Sequence, residues 1–297
     1  MKVSVIVPNY NHAPFLQQRI ESILNQTFQD FELILLDDCS ADGSREILEV
    51  YRNNPHVTHI VYNEVNGGSA FRQWERGIAL VNGEWIWIAE SDDWAEIDFL
   101  ETMLQEADLH ADCGLIFSLP KYVYPDGSTW NDKADGNTVA YLGGDFARYR
   151  LLHNNAIHNV SSILMRRCVL KQVDLGSCAA MRLCGDWLLY SQLCAVTNVL
   201  EVRRTLCYYR IHNTNVSSRA ERDGLPLIEG IEVLNYLAHT FDIPSKSYSR
   251  QWGHTWAKLE RQYHYGRKLR EMIQDAFHPY PFIRLWHRIY QIRLWLK

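Results

Sequence analysis

Four short apolar runs, each closed by a polar cluster, constrain this chain more than anything else in its first ninety-odd residues. Val3-Ser4-Val5-Ile6-Val7 stops at Pro8-Asn9-Tyr10-Asn11. Phe31-Glu32-Leu33-Ile34-Leu35-Leu36 stops at Asp37-Asp38. Val57 to Tyr62 leads to Asn66-Gly67-Gly68, and Glu84-Trp85-Ile86-Trp87-Ile88-Ala89 stops at Glu90-Ser91-Asp92-Asp93. Short, β-branched, turn-bounded runs of this kind read as buried strands. Between them, Pro14 to Leu24, Ser44 to Arg52 and Phe71 to Val81 carry helical spacing. Strands alternating with helices predict a Rossmann-like α/β fold, a mostly parallel central sheet flanked by helices. In such sheets ligands bind beyond the carboxyl ends of the strands. The polar clusters therefore fall along one edge and make one candidate site.

The carboxylates give that edge its chemistry. Asp92 and Asp93 are adjacent acids at a strand end, and they repel each other unless a cation or several donors lie between them. Hard divalent cations take such carboxylates together with substrate phosphates. The plainer reading is a helix cap, and it applies equally to Asp37-Asp38, where Asp42 or Ser44 can cap the following helix. Carboxylates at Asp37-Asp38 can also accept from a base N–H or ribose hydroxyls. No GxGxxG follows the first strand and no GxxxxGK[ST] occurs, which argues against a dinucleotide dehydrogenase and a P-loop nucleotidase.

From about 101 to 215 the pattern loosens. Phe99 to Leu109 reads as a helix, Cys113 to Leu119 and Ser161 to Arg166 as strands, and Asp186 to Cys194 as a helix; beyond about 220 everything reads helical. The 297 residues, 47% of them hydrophobic, suffice for one large domain or two small ones. Seven scattered cysteines without a CxxC pair fit a reducing, cytosolic setting better than a disulfide framework. The amino terminus lacks the features of a secretory leader, and no stretch approaches the roughly 20 apolar residues of a membrane span.

Six motifs in order carry a resemblance: VSVIVPNYN, LLDDCSADGS, NGGSAFRQWERGI, GEWIWIAESDDW, CGDWLLYSQL and YYRIHNTNVS. Together they resemble the family 2 glycosyltransferases, the inverting group with the A-type fold, over about residues 2–217. The resemblance implies a catalytic domain over 1–217, with a nucleotide-sugar-binding half over 1–100 and an acceptor-binding half over 101–217. A helical region follows over 218–297. It implies that Pro8, Tyr10, Asp37 and Asp38 line the nucleobase and ribose. Asn66, Gly68, Arg72 and Gln73 would start the donor-binding helix. Asp93 would ligate Mn²⁺ or Mg²⁺ with His212 nearby, Asp92 would face the donor, and Asp186 would be the general base. The metal motif here begins with Glu90 where Asp is usual, which leaves Glu90 as supporting charge. Gly185 stands where a Glu often precedes the base.

The implied activity is transfer of a sugar from a nucleotide donor, UDP-linked most often in this family, to a glycan or polyprenyl-linked acceptor in bacterial surface polysaccharide synthesis. Alternatives are a sugar nucleotidyltransferase, which usually carries a Gly-rich basic loop after its first strand, and a non-catalytic glycan-binding scaffold. Trp85 and Trp87 read as core, whereas Trp74 and Trp94 are candidates to stack on a sugar or base. From Lys246 onward the chain has 11 Lys and Arg against 3 Asp and Glu. On a helix over Phe282 to Lys297, Arg284, His287, Arg288 and Gln291 share one face, and Leu285, Ile289, Ile292 and Leu296 the other. That pattern suits an interfacial helix on the inner face of the cytoplasmic membrane, or one packed on protein. No nucleic-acid partner is expected, and self-association stays open.

Overall fold

The computed structural model describes residues 1–131, 134–212 and 222–295. The end of the sixth motif, 213–217, and the tail residues Leu296 and Lys297 lie outside the described residues. The first half alternates as expected: β1 (Val3–Asn9), α1 (Ala13–Leu24), β2 (Phe31–Asp37), α2 (Ser44–Val50), β3 (Val57–Tyr62), α3 (Ala70–Ile78) and β4 (Trp85–Ile88). Then come β5 (Trp94–Ala95), α4 (Phe99–Leu109), β6 (Cys113–Val123), β7 (Thr129–Asn131), β8 (Thr138–Tyr141) and α5 (Gly143–Phe146). The described chain continues through β9 (Ile163–Arg166), α6 (Arg167–Leu170), α7 (Leu175–Ala179), α8 (Gly185–Cys194) and β10 (Asn198–Arg210). Four longer helices follow, α9 (Leu225–Thr240), α10 (Ser249–Tyr263), α11 (Arg267–Ala276) and α12 (Pro281–Trp295).

One sheet runs in the order β3-β2-β1-β4-β9-β6-β10-β5, with β7 on β6 and β8 on β10. β3, β2, β1 and β4 are parallel, and β9 is antiparallel to both β4 and β6. The sequence accounts for the parallel half: every residue of β1 and β2 is buried, because both sheet faces are covered. Val3, Val5, Leu33, Leu35 and Trp87 point into one core with Leu16 and Ile20 of α1 and Phe99 of α4. Ile6, Ile34, Leu36, Ile86 and Ile88 point into the other, with Phe71 and Trp74 of α3 and Leu188 of α8. Trp85 and Trp87 are core residues, as read.

The second half has the elements read over 99–109, 113–119, 161–166 and 186–194, and adds strands that the sequence did not reveal. β10 is a thirteen-residue strand that joins β5, β6 and β8 and carries the YYR motif back beside Trp94. Its charges at Glu201, Arg203 and Arg204 mask its period in the sequence. α9 to α12 share the second core: Trp252 stacks on Trp187 at 6.0 Å, and Trp256 and Phe277 pack beside it.

Candidate active site

At the ends of β1 and β2 the two aspartates play unlike parts. Asp37 is fully buried, accepts from Asn9 Nδ2 at 3.0 Å and Ser40 N at 3.0 Å, and pairs with Arg45 Nε at 2.8 Å. Its carboxylate braces the loop from within. Asp38 accepts from Asn63 Nδ2 at 2.5 Å, from Gly67 N at 2.9 Å and from Gln73 Nε2 at 2.9 Å. It thus gathers the Asn66-Gly67-Gly68 turn and the start of α3. Asn66 closes that turn by accepting from Gly68 N at 2.6 Å, and Gly68 takes a positive φ of 73°. Arg72, exposed, donates to Gly67 O at 2.9 Å. Pro8 is buried in β1, and Tyr10 stands 47% exposed at the mouth. Asp42 accepts from the Ser44 amide and from Ala13 N, so it ties α1 to α2.

The acidic run after β4 divides more sharply. Asp92 Oδ2 lies 2.9 Å from His212 Nε2, and one ligand atom each of His12, Asp92 and His212 lie within 4.8 Å of one another. Burial pushes the Asp92 carboxyl up, but the bond to His212 and the nearby charges of His12 and His212 more than offset it and hold it down. Burial lowers the His12 pKa, against the pull of the Asp92 charge. Asp93 faces the other way. It accepts from Asn159 Nδ2 at 2.9 Å, Ser161 Oγ at 2.7 Å and Arg210 N at 3.1 Å, and burial followed by the Asp92 charge pushes its carboxyl up. Glu90 accepts from the Trp74 indole at 2.6 Å and is pushed to about 8, by burial first and Asp92 second. Trp74, expected at the site edge, is buried; Trp94 stacks on Tyr208 at 4.7 Å with Arg210 above it at 4.6 Å.

One carboxylate with two imidazoles is a donor set that can hold a divalent metal cation. The residues present therefore fit the metal that the fold implies. Asp92, rather than Asp93, stands in that group, because Asp93's oxygens are already committed to protein donors.

Asp186 opens α8. Its Oδ1 accepts from Trp187 N at 2.7 Å and its Oδ2 from Asn155 Nδ2 at 2.8 Å. Burial raises it to about 7, against the pull of the Trp187 amide. The loop ahead of it is latched by Glu229 of α9, which accepts from the amides of Arg182, Leu183 and Cys184 at 2.8 to 2.9 Å. Gly185 fits because a Cβ there would sit 2.6 Å from Phe71 of α3. Helix α3 therefore touches all three parts: Gln73 reaches Asp38, Trp74 reaches Glu90, and Phe71 packs at Gly185.

Sequence reasoning missed His12, Asn155, Asn159, Glu229 and Arg19. His12 directly follows the first-strand motif, and that adjacency was its only signal. Arg19 is fully buried on α1, its guanidinium 4.9 Å from the Trp87 ring, and among the described residues none of its nitrogens is hydrogen-bonded. Burial lowers its pKa, and the acidic groups around it, Cys207, Asp93, Glu90 and Asp92, oppose that. It is the internal cation beneath the acidic run.

Residues 4–173 match the family described as Glycosyl transferase family 2. Glycosyltransferase GlyG of Streptococcus pneumoniae serotype 4 is 34% identical over 143 residues, 48% of this chain and 44% of that protein. The putative teichuronic acid biosynthesis glycosyltransferase TuaG of Bacillus subtilis is 32% identical over 148 residues, 46% of this chain and 58% of that protein. The chain thus spans about half the length of these curated relatives. Crystal structures of S. aureus TarS 1-349 are similar in fold: the UDP-GlcNAc complex gives a TM-score of 0.63 at 18% identity, covering 97% of this chain and 92% of that one.

Proposed function

Because the chain belongs to the family 2 glycosyltransferases, we propose that it moves a sugar, with inversion, from a UDP-linked donor to a hydroxyl of a glycan or lipid-linked acceptor in surface polysaccharide synthesis. The observation that carries this reading is Asp186, a single carboxyl at a helix start, held by Asn155 and poised near neutrality. A group with that pKa can take the acceptor's proton as the hydroxyl attacks. One base with one displacement inverts the anomeric carbon, whereas retention needs a second acid as nucleophile. The teichuronic acid biosynthesis for which TuaG is named supports the substrate class, and the UDP-GlcNAc complex of TarS supports a UDP-sugar.

In this reading Asp38, Asn66, Gly68, Arg72 and Gln73 hold the nucleoside and the start of the donor-binding helix, beside Pro8 and Tyr10. His12, Asp92 and His212 would hold Mn²⁺ or Mg²⁺, which when bound neutralises charge building on the departing diphosphate. Asp93 and Arg19 support that group from below, and Asp37 and Glu90 brace the loops.

The carboxy-terminal helix supports a peripheral place on an anionic membrane. Phe282, Leu285 and Ile292 of α12 are exposed, among Arg284, Arg288 and Arg293. Among the described residues no helix is long and apolar enough to cross a membrane.

The deciding experiment is a donor-hydrolysis screen across UDP-, GDP- and dTDP-sugars with and without Mn²⁺, beside thermal shift with the free nucleotides. Metal-dependent hydrolysis and stabilisation by one nucleotide are expected. Indifference to every nucleotide would overturn the reading.

A further inference from the structure

The strands that carry the end of the site also carry a feature the donor chemistry does not use. Trp130 of β7 lies opposite Tyr122 of β6, and Tyr122 lies opposite Tyr209 of β10. Residues directly opposite one another in neighbouring strands project from the same face. Three aromatics thus form one row across three strands, with ring centroids stepping by 5.0 Å and then 5.4 Å. The rings tilt by 53° and 69°, so the row is corrugated, offering faces and edges in turn. Trp130 is 49% exposed, and Tyr124, in the turn between β6 and β7, is exposed beside it. It is the contiguous row, and not a single exposed ring, that marks a contact surface.

His158 ties this row to the reaction centre. Its Nδ1 lies 2.6 Å from the Tyr122 hydroxyl. The loop that bears it also bears Asn155, which holds Asp186, and Asn159, which holds Asp93. One five-residue segment therefore touches the candidate base, the acidic run and the aromatic row. On the next residue of β10, Arg210 lies over Phe15 and Trp94 and donates to Asp92 O.

We propose that Trp130, Tyr122 and Tyr209, with His158, form a subsite for a carbohydrate acceptor, taking sugar residues next to the one that receives the transfer. Aromatic faces carry negative π-density, which suits the polarised C–H face of a pyranose ring. Hydroxyl and imidazole groups beside the rings supply the polar contacts that fix a sugar's orientation. The ring spacing is comparable to that of consecutive residues in a glycan. A lipid surface fits less well, because the row is joined through His158 to the loop that holds Asp186 and Asp93. This inference rests on the glycosyltransferase reading.

The test uses the full chain and an array of immobilised oligosaccharides built from hexoses, hexosamines and uronic acids, probed in the presence of UDP and Mn²⁺. The wild type is expected to bind a subset of glycans. Trp130→Ala should bind them about tenfold more weakly, roughly the worth of one aromatic contact, with Trp130→Phe in between. Thermal shift with UDP should be the same in all three proteins, which shows that the variants are folded and donor-competent. Equal glycan binding by Trp130→Ala, or no glycan binding by a wild type that does bind UDP, overturns the subsite alone. A wild type that no nucleotide stabilises overturns the glycosyltransferase reading, and the subsite with it.

Discussion

At the residue scale, neighbouring acids in one motif have opposite environments. Asp92 and Asp93 are adjacent, yet Asp92 meets two histidines and Asp93 meets an asparagine, a serine and a backbone amide. Asp92 lies in the turn that the Asp93 amide closes onto Glu90 O, and Asp93 directly precedes β5, so the two carboxylates are sent apart. Asp92→Asn should abolish the thermal shift caused by Mn²⁺, while Asp93→Asn should keep it. Melting curves with a Mn²⁺ titration decide this, and the reverse pattern would return the ligand role to Asp93. Asp186 gives a second prediction. Its folded pKa of about 7 lies above the ordinary carboxylate value, so the native state holds a proton that the unfolded chain releases. That group's stability contribution is present at low pH and lost as pH rises toward 7. Asp186→Asn should therefore melt above the wild type at pH 8, with the difference vanishing near pH 4. The same variant should lose activity by about 10²- to 10⁴-fold, and the wild-type rate should rise through pH 7 to a plateau.

At the element scale, α3 and α9 do the positioning. α3 presents Phe71, Gln73 and Trp74 within one turn, and each reaches a different part of the site. Its sequence, AFRQWERGI, reads as a plain amphipathic helix, so the periodicity reveals its buried face and not its targets. Glu229 on α9 is buried and latches three amides ahead of Asp186. Charge-assisted bonds of this kind contribute about 1.5–3 kcal/mol. Glu229→Gln should lower kcat by an order of magnitude or more while the thermal shift with UDP persists, as measured by donor and acceptor kinetics on the purified variant. On α12, His287 stacks on Trp256 at 3.9 Å and, with Gln291, bonds to Glu260, so these two face α10, while Leu285 and Ile292 are exposed. Leu285→Glu with Ile292→Glu should cut co-sedimentation with anionic vesicles and leave activity on a soluble acceptor unchanged.

At the scale of the whole molecule, the helices after residue 222 close a core they share with α8. Trp252 covers Trp187 and donates to Leu152 O, while Ile231, Leu234 and Phe277 fill the same cluster. A chain ended near residue 217 should expose Trp187 and lose the Glu229 latch. Expressed alone, it is expected to be insoluble or to bind 8-anilinonaphthalene-sulfonate; a cooperative melt comparable to that of the full chain would show that residues 1–217 fold by themselves.

The sequence alone determined the parallel half of the sheet, because full burial on both faces writes itself as unbroken apolar runs ending in polar clusters. It likewise determined which acids lie at the site edge, since strand ends fix that position whatever the rest of the chain does. The tertiary structure decided which of those acids meets the histidines. That depends on β10 arriving from more than a hundred residues away to bring His212 to Asp92 and the Arg210 amide to Asp93. It also decided the partners of Asp186, because Asn155 and Glu229 lie 31 and 45-odd residues from the groups they hold and share no local pattern with them. Periodicity reports the environment of one element; pairings between distant elements depend on packing, and no single stretch of this chain records them.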